Sequence, residues 1–275
     1  MTVISGEGGA VDGINTVRNW KCNTSAELQA YIASNTKGGT GRKAGNKDWS
    51  GSYDAYGHTP VKMPGDGFTF KGTMEGTKGV EGVALCDSVE IVCDIAAGAI
   101  ISHVCNFSAN GALARGAAVA ADASTPDPPS AIGCKVALGT TVATPDWTDI
   151  DDVERWTLTI TKEGKAYVSS STAAQNKRKS GNIDFNIAVP VLLSDPSTVT
   201  AENVVKAIRL YVTASTYWEL KWVMFGSHSD VAVDRETADI VGLTLNGSMN
   251  GWTDIGGSST EGGIWKPSAA KWWPA

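Results

Sequence analysis

Charge is scarce in this sequence: Asp, Glu, Lys and Arg make up 19% of its 275 residues. Set beside 31 glycines and 42% hydrophobic residues, that scarcity excludes bulk disorder and favours a turn-rich β protein over a helical one. Positive charge is the scarcer sign. A net charge of −6 argues against binding nucleic acid by phosphate neutralisation, yet it suits a surface that DNA slides past without sticking. No CxxC spacing joins the five cysteines, Cys22, Cys86, Cys93, Cys105 and Cys134, so the expectation is reduced, buried thiols rather than a disulfide framework. No stretch approaches the ~18 apolar residues of a membrane helix. The most apolar one, VEIVCDIAAGAIISHVC, is interrupted by Glu90, Asp94 and His103. The opening MTVISGEGGAVDG has neither the basic nor the apolar region of a signal peptide. Without a secretory route the glycosylation-type triplets at Asn23, Asn106 and Asn246 carry no weight.

Catalytic and ligand motifs are equally sparse. The three histidines are His58, His103 and His228. His103 and Cys105 stand two apart on one strand face near Cys93, but a structural metal site ordinarily needs four ligands at recognisable spacing. GGTGRKAG (38–45) is not the phosphate-cradling GxxxxGK[ST]. The carboxylates of DWTDIDDVE (146–154) have no His or Arg partner nearby in sequence, and no G-x-S-x-G stands between a strand and a helix. The expectation is a protein with no catalytic residue, no cofactor and no metal.

What is present is a repeat. Residues 14–60 and 150–196 align without a gap at a shift of 136, with fourteen identities in 47 positions. Chance gives about three for average composition. The identities include Trp20/Trp156, Tyr31/Tyr167, Arg42/Arg178, Lys43/Lys179, Gly45/Gly181, Asn46/Asn182 and Asp48/Asp184. Further on the shift becomes 140, placing NFSANG (106–111) on NGSMNG (246–251) and Asp94 on Asp234. A period this long reads as a duplicated domain rather than a solenoid.

The repeat sharpens the local reading. TSAELQAYIASN (24–35) looks helical alone, with Thr24 and Glu27 as a capping box. Its partner, ITKEGKAYVSSS (160–171), has Gly164 inside and β-branched flanks, so hairpins are expected in both. One hairpin turns near Ala26-Glu27 and the other at Lys162-Glu163-Gly164. Gly45-Asn46 and Gly181-Asn182 are read as turns that start a strand, with Asp48 and Asp184 satisfying backbone groups at its entrance and Trp49 and Phe185 sharing a packing position. Trp20, Trp156 and Trp222 fit strand periodicity and are expected in the core. AENVVKAI (201–208) is the one candidate helix. An Ala/Pro/Asp-rich linker runs from about Arg115 to Ser130, stiffened by TPDPP. The expected fold is all-β: two tandem β-sandwich or barrel domains related by internal duplication, over 1–130 and 131–255, with a Trp-rich tail over 256–275.

Two features point outward. The basic pairs Arg42-Lys43 and Arg178-Lys179 recur in a loop and are candidate contacts to a neighbouring subunit. Trp265, Trp272 and Trp273 stand in GGIWKPSAAKWWPA, outside the repeat, where three indoles call for burial against their own domain or another subunit.

The order of features resembles the unit of phage major tail (tail tube) proteins. A Val-Arg-x-Trp strand (Val17 to Trp20) is followed by AYIASNT (30–36), a basic loop and GNKDWSGSY (45–53). MPGDGFTF (63–70), GVEGVA (79–84) and a closing NFSANGAL (106–113) come next. The likeness covers most of residues 14–113 and, more faintly, 150–252, where Asp184-Phe185-Asn186 replaces the Trp-Ser-Gly run and Gly247 replaces Phe107. It implies a structural protein of the virion tail, assembled in the host cytoplasm, whose copies join into rings stacked as a conduit for DNA ejection. Two such domains per chain imply a trimeric ring of pseudo-sixfold symmetry or, as the alternative, a ring of six chains with the second domain decorating the outside. The implied partners are further copies of the chain, other tail proteins and DNA passing without specific binding, with no membrane. A β-sandwich binding module, of lectin or decoration type, is the competing expectation.

Overall fold

Strand periodicity dominates the fold. In RWTLTIT (155–161), Trp156, Leu158 and Ile160 are fully buried while the residues between them are not. In DFNIAVPVL (184–192), Phe185, Ile187, Val189 and Val191 do the same. Period-two burial of this kind requires a sheet with one face on a core. The computed structural model describes residues 2–7, 11, 14, 16–33, 37, 39–58, 60, 62–75, 78–117, 128–142, 145–162, 164–168, 176–192, 204–213, 216–226, 229–232, 242–250 and 264–265.

The strands are β1 (Thr2–Glu7), β2 (Val17–Tyr31), β3 (Gly41–Tyr56), β4 (Gly67–Glu75), β5 (Lys78–Asp94), β6 (Ser102–Ala117), β7 (Val136–Gly139), β8 (Trp147–Ile150) and β9 (Arg155–Thr161). They continue with β10 (Gly164–Tyr167), β11 (Lys177–Ser180), β12 (Asp184–Leu192), β13 (Val204–Tyr211), β14 (Tyr217–Phe225), β15 (Ser229–Ala232), β16 (Gly242–Met249) and β17 (Ile264–Trp265). Among the described residues there is no helix, and the protein is all-β. One antiparallel sheet runs β1-β2-β3-β6-β5-β9-β12-β16-β14-β13-β7-β8, with β4 on β5, β15 on β16 and β17 on β14, while β10 and β11 pair separately.

Two strand sets within that sheet share an order. The first is β2-β3-β6-β5-β4 and the second β9-β12-β16-β14-β13. In each, the indole of the leading strand fastens onto the last strand. Trp20 Nε1 donates to the Thr73 carbonyl (2.9 Å), and Trp156 Nε1 donates to the Tyr211 carbonyl (3.2 Å). The registers also correspond. Tyr31 faces Gly41 and Thr24 faces Trp49; 136 residues on, Tyr167 faces Lys177 and Ile160 faces Phe185. The β3–β6 pairs from Ser50↔Ser108 to Tyr56↔Ser102 reappear as Asn186↔Ser248 to Leu192↔Gly242, at shifts of 136 and 140.

Four expectations are corrected. The segment 24–31 is not a hairpin: β2 continues through it, and Glu27 stands in a register shift opposite Gly45-Asn46. Gly45-Asn46 therefore forms a bulge inside β3 rather than a turn, and Gly181-Asn182 lies at the break between β11 and β12. Lys162 likewise does not fold β10 back onto β9; β10 pairs with β11. A bulge lets the long arm twist without ending it, a solution open to both sequences because Gly lowers the steric cost. Second, Val204–Ile208 of the candidate helix lie in β13, because its β-branched residues meet a waiting partner in β14, and the strand buries Ile208 and Leu210. Third, Arg115–Ala117 belong to β6, paired with Lys78–Val80, so the linker starts later. Fourth, Trp222 is not core: it is half-buried in a bulge of β14 opposite Ala207, with φ 58°. Residues 118–127 of the linker lie outside the described residues.

Candidate functional site

The most elaborate arrangement of polar groups is the junction between the two strand sets. β5 and β9 pair from Ser88↔Thr161 to Asp94↔Arg155, so the sheet passes without interruption from one set to the other. The arm of the second set, β10–β11, then reaches over the first. Lys162 N donates to the Asp87 carbonyl (2.7 Å), and Asp87 also accepts from the Ser108 hydroxyl. Asn176 N donates to the Lys47 carbonyl (3.2 Å).

Arg178 closes the junction. Its guanidinium grips Asp48 through two parallel bonds, Nη1 to Oδ1 at 3.1 Å and Nη2 to Oδ2 at 2.9 Å. Nη1 also donates to the Ala109 carbonyl (2.6 Å), and the Arg178 amide donates to Asn110 Oδ1 (2.9 Å). The fork geometry of arginine matches a carboxylate in this way, and lysine does not. The Arg178 side chain is only 12% exposed. Burial pushes the Asp48 carboxyl up, but the hydrogen bonds from Arg178 and Asn176, the Arg178 charge and the Trp49 amide outweigh it and hold the group below its ordinary value. Asp48 Oδ1 accepts from Trp49 N (2.9 Å), as Asp184 Oδ1 does from Phe185 N (2.8 Å).

The sequence-derived residues thus separate. Arg178 is committed within the chain. Its repeat counterpart Arg42 is exposed and makes no ion pair among the described residues. Lys43 lies over the Tyr31 ring and Lys179 over the Tyr167 ring, each at 5.9 Å. Both tyrosines are 40% exposed, so these pairs sit at the surface of the two arms. Trp20 and Trp156 are in the core. Trp265 lies in β17, opposite Glu219 of β14; Trp272 and Trp273 lie outside the described residues. Asn110 and Asp87 were missed as junction residues. The alignment of NFSANG with NGSMNG places Asn110 on Asn250, which was the available signal.

The remaining reactive groups are occupied in the core. All five cysteines are free and buried. Burial pushes the Cys22 thiol up to about 12, and the hydrogen bond to Cys105 together with burial pushes the Cys86 thiol up. Thiols raised in this way, as Cys22 and Cys86 are, are poor nucleophiles. His103 Nδ1 stands 2.9 Å from the Gly57 carbonyl, and its ring meets Tyr53 edge-on. His228 lies outside the described residues. Among the described residues no group of three His, Cys, Asp or Glu is placed to hold a metal ion, and no helix is long and apolar enough to cross a membrane.

A scan against protein-family models and a search of curated proteins returned no match to this chain.

Proposed function

We propose that this chain is a structural protein of the phage tail, built from one duplicated β unit, whose copies join edge to edge into rings that stack as a DNA conduit. The observation that carries this reading is the join already present inside the chain. One strand set continues the sheet of the other through β5 and β9 and is pinned by Arg178 on Asp48. A unit that pairs edge to edge with its own repeat has the means to pair with the repeat of another copy, and a heterologous contact that closes makes a ring. The formal charge of −6 keeps such a lumen from holding DNA. In this reading the linker and the Trp-rich tail are candidates for locking ring to ring, and the reading needs no enzyme chemistry, cofactor or membrane.

Electron microscopy and sedimentation velocity on the purified chain over a concentration series test the proposal. Rings or tubes are the expected outcome. A chain that stays monomeric throughout overturns it. The second reading, a binding module, rests on a shallow, open recess of mixed character lined by Thr157, Thr159, Asn186, Ile187, Asn246 and Ser248. It has no aromatic lining residue on which a sugar would stack; glycan-array binding lost in Asn186→Ala would favour it.

A further inference from the structure

Resting on the assembly reading, we infer that successive copies of this chain are joined by a second version of the Arg178 clamp, made by Arg42 of one copy on Asp184 and Asn250 of the next. Each group of the internal clamp has an identical repeat counterpart: Arg178 has Arg42, Asp48 has Asp184 and Asn110 has Asn250. Within one chain the three counterparts are exposed, and neither Arg42 nor Asp184 has an ion-pair partner among the described residues. A bidentate site with donor and acceptor both in place, and both facing solvent, is complete once another copy supplies the missing half.

The arm carrying Arg42 supports the assignment independently. Leu28 is 67% exposed on the β2–β3 pair and Ile32, just past the end of β2, is 72% exposed, so large apolar side chains line an arm that extends past its own core. The equivalent arm of the second set does not stand free. It lies on the first, where a side chain at Gly164 would meet Leu85 at 2.5 Å. At the position of Leu28 the first arm thus carries an uncovered apolar side chain where the second arm, at Gly164, is packed on its neighbour, and such an uncovered patch is an interaction surface.

The same correspondence names the strand edge that would be shared. Val89–Val92 of β5 pair with Ile160–Thr157 of β9. Their counterparts are Ser229–Ala232, which form β15, and Thr24–Lys21 of β2. β15 is seated on β16 as β5 is on β6, through Ala232↔Gly242 against Val92↔Ser102. The edge of β2, however, is occupied: Thr2–Ser5 of β1 pair with Thr24–Lys21. β1 therefore plugs the edge in the isolated chain, and β15 of another copy replaces it as the clamp closes.

Charge reversal tests the clamp on the full chain. R42E and D184R alone should each raise the concentration needed for assembly by ~10-fold or more, and the R42E/D184R double should recover it, because the reversed pair meets again between copies. The unfolding midpoint of R42E should match the wild type, since Arg42 is exposed; D184R also gives up the bond from the Phe185 amide, so its assembly defect is assigned to the clamp by the recovery in the double. Hydrogen exchange reads the strand replacement: on assembly, amides 2–7 should lose protection and amides 229–232 should gain it. Wild-type assembly with R42E assembling equally well overturns the clamp and leaves the assembly reading intact. Amides 2–7 still protected in the assembled state overturn the replacement of β1. A wild-type chain that is monomeric at every concentration overturns the assembly reading and the clamp with it.

Discussion

In the first strand set Gly51 faces Phe107 across β3 and β6; in the second, Ile187 faces Gly247 across β12 and β16. The ladder position is the same, and each has one large and one absent side chain, but on opposite strands. The fit is tight in both. A side chain at Gly51 would meet the Phe107 ring at 2.5 Å, and one at Gly247 would meet Val223 at 2.6 Å and Ile187 at 2.8 Å. The consequence spreads outward. Phe107 gathers Trp49, Tyr53, Phe68 and Phe70 around itself, with the Phe70 ring 4.6 Å away. The second core, lacking a ring at Gly247, is filled by Trp156, Phe185, Trp218 and Phe225 with aliphatic side chains between them. One backbone ladder thus accommodates two packings, because in each set a large side chain lies across from a glycine, whichever strand carries it, and the neighbouring side chains fill the rest.

The largest expected effect breaks the aromatic side of that comparison. Phe107→Ala removes the ring shared by four aromatic neighbours and should cost about 3–5 kcal/mol, measured by urea unfolding. Gly247→Phe, which copies the first set into the second, should be destabilising by a similar amount because nothing there vacates the space. Pairing it with Ile187→Gly sharpens the test. The double should recover at least ~1 kcal/mol relative to the sum of the singles, since the two positions touch. Additive effects would show that the ladder pair is not the unit of compensation.

The next effect separates the two arginines. Arg178→Ala leaves Asp48 without its bidentate partner and frees the Ala109 carbonyl, and should cost about 2–3 kcal/mol. Arg42→Ala should stay within about 0.5 kcal/mol, because the residue is exposed. Equal effects in thermal unfolding would erase the distinction between a used and an unused clamp. The clamp also has an acid limit. With the Asp48 carboxyl held below its ordinary value, the unfolded chain binds the proton more readily. The contribution of the pair is complete above the ordinary carboxylate range near pH ~3.9 and fades only as pH falls below it.

The all-β class and the core placement of Trp20 and Trp156 were legible in the sequence, because strand periodicity carries them. The bulges were not. GNKDWSGSY reads as a turn followed by a strand, since Gly-Asn is a turn dipeptide when its neighbours are unknown. Only the long-range pairing of Ser25 with Asp48 and Leu28 with Ala44 keeps the arm extended on both sides of it. AENVVKAI (201–208) reads as a helix for a related reason: an apolar segment between loops has no fixed period until β14 is beside it. The basic pair was visible as a repeat. That Arg178 turns inward and Arg42 outward depends on which arm lies on which neighbour, and this is a property of chain order. Local composition holds no record of it.

The smallest effect concerns a position where the two sets differ in titratable character. His103 faces Ala55 on β3, and its counterpart across the repeat is Leu243, facing Val191 on β12. Burial lowers the His103 value below the ordinary one, against the opposing influence of the Gly57 carbonyl and Asp54, and His58 nearby is lowered by burial and by His103. Both imidazoles are therefore neutral in the fold at pH values where they are charged in the unfolded chain. The unfolded state binds the extra protons, so stability is full above the ordinary histidine value of ~6.5 and declines as pH drops through it, at up to about 1.4 kcal/mol per pH unit for each proton. His103→Leu copies the second set into the first. It gives up the Gly57 hydrogen bond, about 1 kcal/mol at neutral pH, and should reduce the slope between pH ~6.5 and ~5 in urea unfolding. An unchanged slope would mean that the acid sensitivity of the fold arises elsewhere and that the two cores differ in shape alone.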